Sequence, residues 1–528
     1  MCLYFLQAGI SIRPSAIRFL MQYISEHNDP IESILEEVVR GTRELSAGGS
    51  AFLEESQVKH ILLHTSEEIK EVEEPKINQR IRKAVEESVI VLNAYEDFPY
   101  VEKSKLDGKF KVAKERGEVF FGKSEDKTRG YINHFDMLEE RLQRHPSTYT
   151  TLDEPTSSKV IEVPYINNLP GLKTTVKVFG ILLKREDMRY YLEDRTSSVR
   201  LAIGKDIEAD KGFFLEENHI QVIGYFKNEE LVVKAVSHPL IEQPSVPDPL
   251  EMDFFGAYSY ATKKILNEDL SDVHSALPES IMLPHDSGNP KEKMLITLSN
   301  VGLDNPRTMG RIRELLGGIE QLKPRMIVLM GKLFNNPQQN YSELKSHITQ
   351  FAQTLNEFTY LCNNTAWVIM PALEDPGISN ILPRKPLPPC LLEPLKKKVK
   401  IIVNTTNPCR ISFYGTELMF SRCNLLQYFK RLNVFQSPHE DFLNVIFTVM
   451  SQRSLVPVNR SHIPVVWNYA HCMEFYKAPK YIVLGDLCNF YEQQIEGTYV
   501  LNPGNFAKDF SFAVMYPLLG KVEPSKLP

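Results

Sequence analysis

Two apolar runs of the sequence end in polar residues, as strands do when they deliver ligands to a pair of divalent metal ions. Residues 294–299 lead to Asn300 and Gly302, where such a site needs an aspartate and a histidine. Residues 326–330 lead to a glycine and Lys332, where a second aspartate is needed. Two divalent ions about 3.5–4 Å apart need several carboxylate and imidazole ligands. An amide, a glycine and an ammonium cannot supply them. The pattern therefore predicts the scaffold of a metal-dependent phosphoesterase without its activity.

Composition limits the classes of protein that the chain can belong to. Its 528 residues are 42% hydrophobic and 24% charged, as in soluble globular proteins, and suffice for roughly three domains. The net charge of −6 argues against a stand-alone nucleic-acid binder. Seven scattered cysteines without a CxxC pair indicate a reducing compartment and predict neither zinc nor disulfides. No apolar run approaches the ~18 residues of a membrane span, so we expect a soluble intracellular protein.

The first 75 residues are predicted to form a small helical domain. Asp29-Pro30 is typical of a helix start, and apolar residues follow it at helical spacing. An earlier helix and a third one, from Val58 to His64, are also expected. The earlier helix has the apolar face Ala16, Phe19, Leu20, Tyr23 and Ile24. Residues 76–165 are expected to hold a charged helix from Lys76 to Asn93. A linker with some strand or helix follows it, because periodicity is lost over residues 98–160.

Residues 166–245 are predicted to form a β-barrel of the OB type. Runs of β-branched or alternating residues, separated by short turns, lie at 174–184, 190–194, 198–203, 219–226 and 230–236. Five strands in about seventy residues fit a small Greek-key barrel. Its aromatic residues could stack on single-stranded nucleic acid, but few basic residues accompany them. We therefore expect most of them to fill the barrel and its interfaces; they are Phe179, Tyr190, Tyr191, Phe213, Phe214, Tyr225 and Phe226.

Residues 246–289 are expected to form a connector, and residues 290–528 an α/β sandwich. Apolar strand runs recur at 294–299, 326–330, 366–370, 400–404 and 481–484. One helix is expected from Asn305-Pro306, and another from Tyr341 to Phe358. Alternation of strands and helices predicts that functional loops lie at the carboxyl ends of the strands.

Four segments, taken in order, resemble the B-subunits of eukaryotic replicative DNA polymerases. They are Pro371-Ala-Leu-Glu-Asp-Pro-Gly377, Ile381-Leu-Pro-Arg-Lys-Pro-Leu387, Thr405-Thr-Asn-Pro-Cys-Arg-Ile411 and Asn502-Pro-Gly-Asn-Phe506. The resemblance covers nearly the whole chain, and the Asn-Pro-Cys-Arg segment with the helical N-terminus is most similar to the epsilon branch of this family.

The resemblance implies a multidomain α+β fold. Its parts are an N-terminal helical bundle like the C-terminal domain of AAA+ ATPases, an OB-fold, and a calcineurin-like phosphoesterase domain that has lost catalysis. It further implies a nuclear protein without a cofactor that binds the zinc-bearing C-terminal domain of the catalytic subunit. A link to the replicative helicase and contact with DNA through the complex are implied as well.

The resemblance also places the other ligand positions of active relatives on this sequence. Where they carry Gly-Asn-His, this chain has Met370-Pro-Ala, with Asp375 among the nearest acidic residues. A further histidine position holds Ser454, and the closing histidine motif is replaced by a segment with Asp486. Each aspartate is expected to cap a turn or helix, as Asp does beside Pro and Gly. No catalytic or metal-binding residue is predicted; the degenerate positions are Asn300, Gly302, Lys332, Asp375, Ser454 and Asp486.

Other interpretations stay open at this point. Ser271-Asp-Val-His274 is an Asp-x-His pair, but it lies in a polar stretch before Pro278 instead of after a buried strand. An active metal-dependent nuclease or phosphatase would use Asp272, His274, Asp375 and Asp486. A barrel that binds single-stranded DNA would show a steep salt dependence. The B-subunits of polymerases alpha and delta share the architecture implied here.

Overall fold

The structure, a computed structural model, describes residues 11–26, 34–35, 38–39, 52–53, 58, 83–85, 87–104, 108–112, 122–144, 161–243, 253–257, 280–281, 289 and 293–528. The chain divides into two compact units, Met1–Ile81 and Arg82–Pro528. In the first unit, strands β1 (Ser11–Ile12) and β2 (Phe52–Leu53) pair in parallel, and helix α1 spans Pro14–Glu26. The described part of this unit confirms the earlier helix.

On the predicted apolar face of α1, Ala16, Phe19 and Leu20 are buried, and Ala16 and Leu20 are fully inaccessible to solvent. Four more predicted helical positions are helical and buried; they are Ile34, Leu35, Val38 and Val39. Of the helix expected from Val58 to His64, only Val58 is described. The rest of the predicted helical bundle lies outside the described residues.

The prediction of a helix from Lys76 to Asn93 is wrong at its carboxyl end. Strand β3 (Val89–Asn93) follows the helical residue Glu87, and its first four residues are fully buried. A run of β-branched and leucine residues that is buried on both faces favours a strand inside a sheet. β3 pairs with a strand of the large domain, so this sheet includes a segment that the sequence placed before the barrel.

The region expected to be a linker does contain strand and helix. Strands β4 (Val101–Lys103) and β5 (Phe110–Val112) form an antiparallel pair, and α2 (Ser124–Arg144) is a helix of 21 residues. Phe135 of α2 packs against Phe179 of the barrel, with ring centroids 5.2 Å apart. This helix therefore packs against the barrel, and it also contacts the large domain, where the Arg141 guanidinium donates to the Ser451 carbonyl (2.6 Å).

The predicted barrel is present, and its five predicted strands lie within one residue of the predicted bounds. They are β7 (Thr175–Lys184), β8 (Tyr190–Glu193), β9 (Ser198–Ala202), β11 (His219–Lys227) and β12 (Glu230–Ser237). Two short strands, β6 (Ile161–Val163) and β10 (Glu208–Ala209), were not predicted. Strands β7, β8, β9, β12 and β11 pair in a closed ring, because β9 and β12 join in parallel. This connectivity is that of a five-stranded OB-fold. Apolar side chains such as Val178, Leu192 and Ile220 fill the interior.

The large domain contains two sheets. The strands of the first, in spatial order, are β13 (Ser280–Ile281), β3, β18 (Cys409–Phe413), β19 (Thr416–Ser421), β20 (Tyr481–Leu484), β22 (Thr498–Asn502) and β21 (Tyr491–Ile495). Those of the second are β17 (Ile402–Asn404), β16 (Ala366–Met370), β15 (Met326–Met330), β14 (Leu295–Ser299), β23 (Ser511–Tyr516) and β24 (Lys521–Lys526). Side chains from both sheets, including Met330 and Phe420, form one buried cluster between them.

Helices cover the outer face of the second sheet and extend toward the barrel. The remaining helices of the large domain are α3 (Pro306–Leu322), α4 (Tyr341–Leu355), α5 (Thr359–Asn363), α6 (Pro389–Lys396), α7 (Leu425–Leu432), α8 (Asp441–Gln452) and α9 (Phe506–Asp509). The predicted start of α3 is confirmed, since the Asn305 side chain caps it by accepting from the Arg307 N–H at 3.0 Å. No helix in the described part of the chain is long and apolar enough to cross a membrane.

One buried polar stripe on α8 joins the large domain to the barrel. Asn444, Thr448 and Gln452 are four residues apart, so they share one helix face. The Oδ1 of Asn444 accepts from the N–H of Gly212 (2.8 Å), and the Thr448 hydroxyl accepts from the N–H of Phe213 (2.7 Å). These bonds fix the orientation of the barrel on the sandwich.

Candidate functional site

The loops that follow β14, β15, β19 and β20 meet at one end of the sandwich, and Arg422 lies at their centre. This residue follows β19 directly and is 1% exposed. Its Nε donates to the carbonyl oxygen of Gly331 (2.5 Å), and its Nη1 donates to that of Gly485 (2.8 Å). Its Nη2 donates to the side-chain oxygen of Asn300 (2.5 Å). One guanidinium thus ties together segments that follow three other strands.

The main chain and side chain of Arg422 are held from two further directions. The Asn407 amide accepts from the Arg422 N–H (3.0 Å) and donates to the Arg422 carbonyl (2.8 Å). Nη1 of the guanidinium also donates to Oδ1 of Asn424 (2.7 Å). A planar guanidinium with five donors suits such a set of fixed acceptors.

Asn300 and Gly302, the first two degenerate positions, belong to this loop cluster. Asn300 is 4% exposed and has a left-handed backbone (φ 58°), which Asn tolerates better than most residues. Gly302 is also left-handed (φ 60°), and a Cβ atom there would lie 2.8 Å from Nδ2 of Asn335. A histidine at position 302 would therefore be strained and would require Asn335 to move.

Lys332 lies on the facing loop. Its N–H points to Oδ1 of Asn300 (3.4 Å), and its carbonyl accepts from the N–H of Gly302 (3.3 Å). The side chain is half-buried. The backbone of Lys332 therefore joins the loop after β15 to the loop after β14.

Asp375 is buried, and its carboxylate accepts hydrogen bonds from backbone N–H groups of two loops. One oxygen accepts from the N–H groups of Leu333 (2.8 Å) and Phe334 (3.4 Å), and the other accepts from the N–H of Ala372 (2.8 Å). Burial raises the pKa of Asp375 to about 6, and these donors and the Arg422 charge only partly offset it. The expected turn-capping role is seen here.

Asp486 has the same role on the opposite loop. Its carboxylate accepts from the N–H of Leu426 (2.8 Å), at the start of α7, and from the N–H of Leu487 (2.6 Å). Burial raises its pKa, while these donors and the charge of Arg422 lower it. A carboxylate at a helix start offsets the positive end of the helix dipole.

Ser454 lies away from this cluster, and the Asp-x-His pair cannot be placed. Ser454 lines a small cavity of about 50 Å³ at the joint with the barrel, together with His134, His219 and Glu474. Its hydroxyl accepts from the N–H of Val456 (3.3 Å). Residues 271–274 lie outside the described residues.

The four segments that carried the family resemblance converge on the Arg422 cluster. Asp375 comes from the first, and Arg384 of the second donates to the Asp375 carbonyl (2.7 Å). Asn407, which holds the Arg422 backbone, comes from the third. Asn502 of the fourth donates toward the Asp486 carbonyl (3.4 Å). Segments far apart in the sequence therefore build one buried polar network.

The arrangement ties the loops to one another through one buried guanidinium. The charge of Arg422 partly offsets the cost of burying Asp375 and Asp486. Within the described ranges, no three His, Cys, Asp or Glu side chains are grouped so that they could hold a metal. A divalent ion here would face a guanidinium instead of the carboxylates it needs.

Arg422 was not among the residues predicted from the sequence. The one local sign of a special role for Arg422 is that a charged residue stands shortly after the apolar run Leu418-Met-Phe420. The carbonyl groups that Arg422 binds belong to loops distant in the chain, and no local pattern encodes that contact.

Comparisons with known proteins agree on one family. A family model for the B-subunit of DNA polymerase alpha/epsilon matches residues 295–492, and one described as "DNA polymerase epsilon subunit 2-like, OB-fold domain" matches residues 124–240. DNA polymerase epsilon subunit 2 of Drosophila melanogaster is 31% identical over 380 residues, 70% of this chain and 69% of its own length. The protein of the same name from Homo sapiens is 25% identical over 539 residues, 98% of this chain and 96% of its own.

A plant relative and one solved structure complete the comparison. The B-subunit of DNA polymerase epsilon from Arabidopsis thaliana is 28% identical over 426 residues, 77% of both chains. The solved structure of a novel archaeal phosphodiesterase overlaps 44% of this chain and 99% of its own, with 8% identity and a TM-score of 0.26. That score is too low to indicate a shared fold.

Proposed function

This chain belongs to the B-subunit family of DNA polymerases alpha and epsilon, as an accessory subunit of the epsilon type, and we propose that its phosphoesterase-like domain is a non-catalytic scaffold in nuclear DNA replication. The observation that carries this proposal is the position of Arg422. Its guanidinium occupies the centre of the loops where an active phosphoesterase would bind metal ions, and it bonds to three of them. A site closed in this way stabilises the loops and leaves no ion to activate water.

The partner of this scaffold is the catalytic subunit of DNA polymerase epsilon, through its zinc-bearing C-terminal domain. The barrel and the sandwich are held in one orientation by buried bonds such as that from Phe213 to Thr448, so they can present one continuous surface. A permanent interface of this kind buries on the order of 2,000 Å² or more. The chain uses no cofactor, contacts DNA only through the complex, and helps to connect the polymerase to the replicative helicase.

Co-expression tests this proposal. We expect the full chain and the cysteine-rich C-terminal segment of its catalytic subunit to co-elute one-to-one in high salt, because an apolar interface is little weakened by screening of charges. An unrelated OB-fold protein, co-expressed with the same segment, is the control. Soluble, folded partners that fail to co-elute would contradict the proposal and favour the active-nuclease interpretation or another polymerase of the family.

A further inference from the structure

The outer edge of β21 is a sheet edge that no strand among the described residues covers. Exposed edges are normally blunted by lysine, proline or short length, because their free N–H and C=O groups can pair with another chain. Two of the four edge strands of the sandwich, β13 and β17, have only two and three residues. The third, β24, carries Lys521, Pro524 and Lys526. β21 has five residues, Tyr-Glu-Gln-Gln-Ile, with one charged residue, Glu492, and neither lysine nor proline.

The hairpin geometry identifies which backbone groups of β21 face outward. β21 and β22 are joined by the two-residue turn Glu496-Gly497, both residues with positive φ. Gln494 lies opposite Tyr499, and the N–H of Tyr499 donates away from β21, to the Lys480 carbonyl (2.9 Å). Bonded and non-bonded pairs alternate in an antiparallel ladder. The N–H groups of Glu492 and Gln494 therefore point away from β22, and no described strand pairs with them.

An apolar cleft lies beside this edge. It has a volume of about 530 Å³ and lies between the start of α8 and the loop that leads into β21. Its walls include Leu426, Phe442 and Phe490, and the ring of Phe442 stacks on that of Tyr491 at 5.8 Å. The buried hydroxyl of Tyr491 has no hydrogen-bond partner among the described residues. The cleft can hold an apolar side chain from a strand added next to β21.

We propose that an extended segment of the catalytic subunit adds to β21 as a further strand and places an apolar side chain in this cleft. The proposal rests on the proposed function, because it takes its partner from there. A five-residue edge without lysine or proline beside an open apolar cleft suits a permanent partner, and the catalytic subunit is the permanent partner of an accessory subunit. Glu440 is exposed at the cleft, and Glu492 lies on the strand itself. A basic residue next to the apolar one therefore suits the bound segment.

Hydrogen exchange at single-residue resolution tests the strand addition. In the isolated full chain, the amides of Glu492 and Gln494 exchange fast, whereas those of Gln493 and Ile495, which bond to β22, are protected. In the complex with the C-terminal segment of the catalytic subunit, all four are protected. Protection of Glu492 and Gln494 in the isolated chain would show that the chain covers its own edge, and fast exchange in the complex would show a bare edge. Either result would overturn the proposal.

A matched pair of variants gives a second test. Gln494→Pro removes the outward N–H without breaking a bond to β22, and we expect it to weaken the complex about tenfold or more. Gln494→Ala keeps the N–H, and we expect its affinity to stay within about twofold of the wild type. The protection of Gln493 and Ile495 checks that the hairpin of each variant is intact. A stable wild-type complex that Gln494→Pro leaves unchanged would refute this inference alone, whereas no wild-type complex would refute the proposed function with it.

Discussion

The Arg422 guanidinium donates a hydrogen bond of 2.5 Å to the side-chain oxygen of Asn300, the position at which the sequence pattern predicts a missing ligand aspartate. The acceptor is an amide oxygen, and the cation that it binds is a fixed side chain. The same guanidinium also donates to the carbonyls of Gly331 and Gly485, so one side chain links three loops.

Replacing Arg422 should destabilise the large domain strongly. Arg422→Met leaves the carbonyls of Gly331 and Gly485 buried without a donor, so we expect a loss of about 3–5 kcal/mol in the free energy of unfolding. Arg422→Lys keeps the charge but not the planar set of donors, so we expect it to retain only part of the stability that Arg422→Met loses. Urea unfolding measures the difference. Arg431→Gln, an exposed change on α7, is the control, and equal stability of all these variants would refute a structural role for Arg422.

Asp375→Asn should be destabilising in a pH-dependent way. One oxygen is replaced by an NH₂ group, so at least one of the backbone donors that Asp375 binds loses its acceptor, at a cost of about 1–3 kcal/mol. Because burial raises the pKa of Asp375 to about 6, ionisation opposes folding. The wild type therefore loses stability as the pH rises from about 4 to 6, by at most about 1.4 kcal/mol per pH unit.

Asp375→Asn has no carboxyl group at this position, so its free energy of unfolding lacks this pH dependence. Its loss of stability relative to the wild type should therefore be largest at acid pH and smaller at pH 7. Unfolding curves at pH 4.5, 6 and 7.5 measure it, with the exposed Glu374→Gln as control. A deficit that does not change with pH would show that Asp375 titrates normally.

The strands of the barrel and sandwich could be predicted from the sequence because each is a local apolar run bounded by turn residues. Met326–Met330 and Tyr481–Leu484 have the predicted bounds. β3 was mistaken for helix because a charged, helix-favouring stretch continues into Val89, and its partner β18 is far along the chain. For the site, the sequence predicts only that metal ligands are missing, at Asn300, Gly302 and Lys332. Arg422 was missed because its ligands are backbone carbonyls brought together by the fold.

Gln452 should be essential to the joint between barrel and sandwich. Its side chain accepts from the His219 N–H (2.8 Å) and donates to the His219 carbonyl (2.7 Å) and to Nδ1 of His238 (3.0 Å). Gln452→Ala leaves these buried groups unpaired, so we expect a loss of about 2–4 kcal/mol. Calorimetry should show the barrel melting earlier than the sandwich. An unchanged single transition, like that expected for the exposed Gln427→Ala, would contradict this role.

His238 should make the protein acid-sensitive. Its ring stacks on Phe214 with centroids 4.3 Å apart, and Nε2 donates to the carbonyl of Phe213 (3.1 Å). Nδ1 then accepts from the side-chain amide of Gln452. A second proton on Nδ1 would face the N–H of that amide, so protonation of the ring is disfavoured. Burial lowers the pKa of His238 to about 3.

Because the unfolded chain takes up this proton below about pH 6.5, stability is lost as the pH falls below that value. We expect His238→Gln to reduce the loss between pH 6.5 and 5 by up to about 2 kcal/mol. Urea unfolding at these two pH values measures it, with the exposed His439→Gln as control. An unaltered acid loss in His238→Gln would show that His238 does not cause it.

The central claim is that a guanidinium has replaced the metal ions, and titration with Mn²⁺ tests it most directly. Calorimetry of the purified full chain with Mn²⁺, followed by assay of bis(p-nitrophenyl) phosphate hydrolysis, should give no saturable binding and no turnover above buffer. Stoichiometric Mn²⁺ binding with turnover that is lost in both Asp375→Asn and Asp486→Asn would contradict the account and restore the active phosphoesterase.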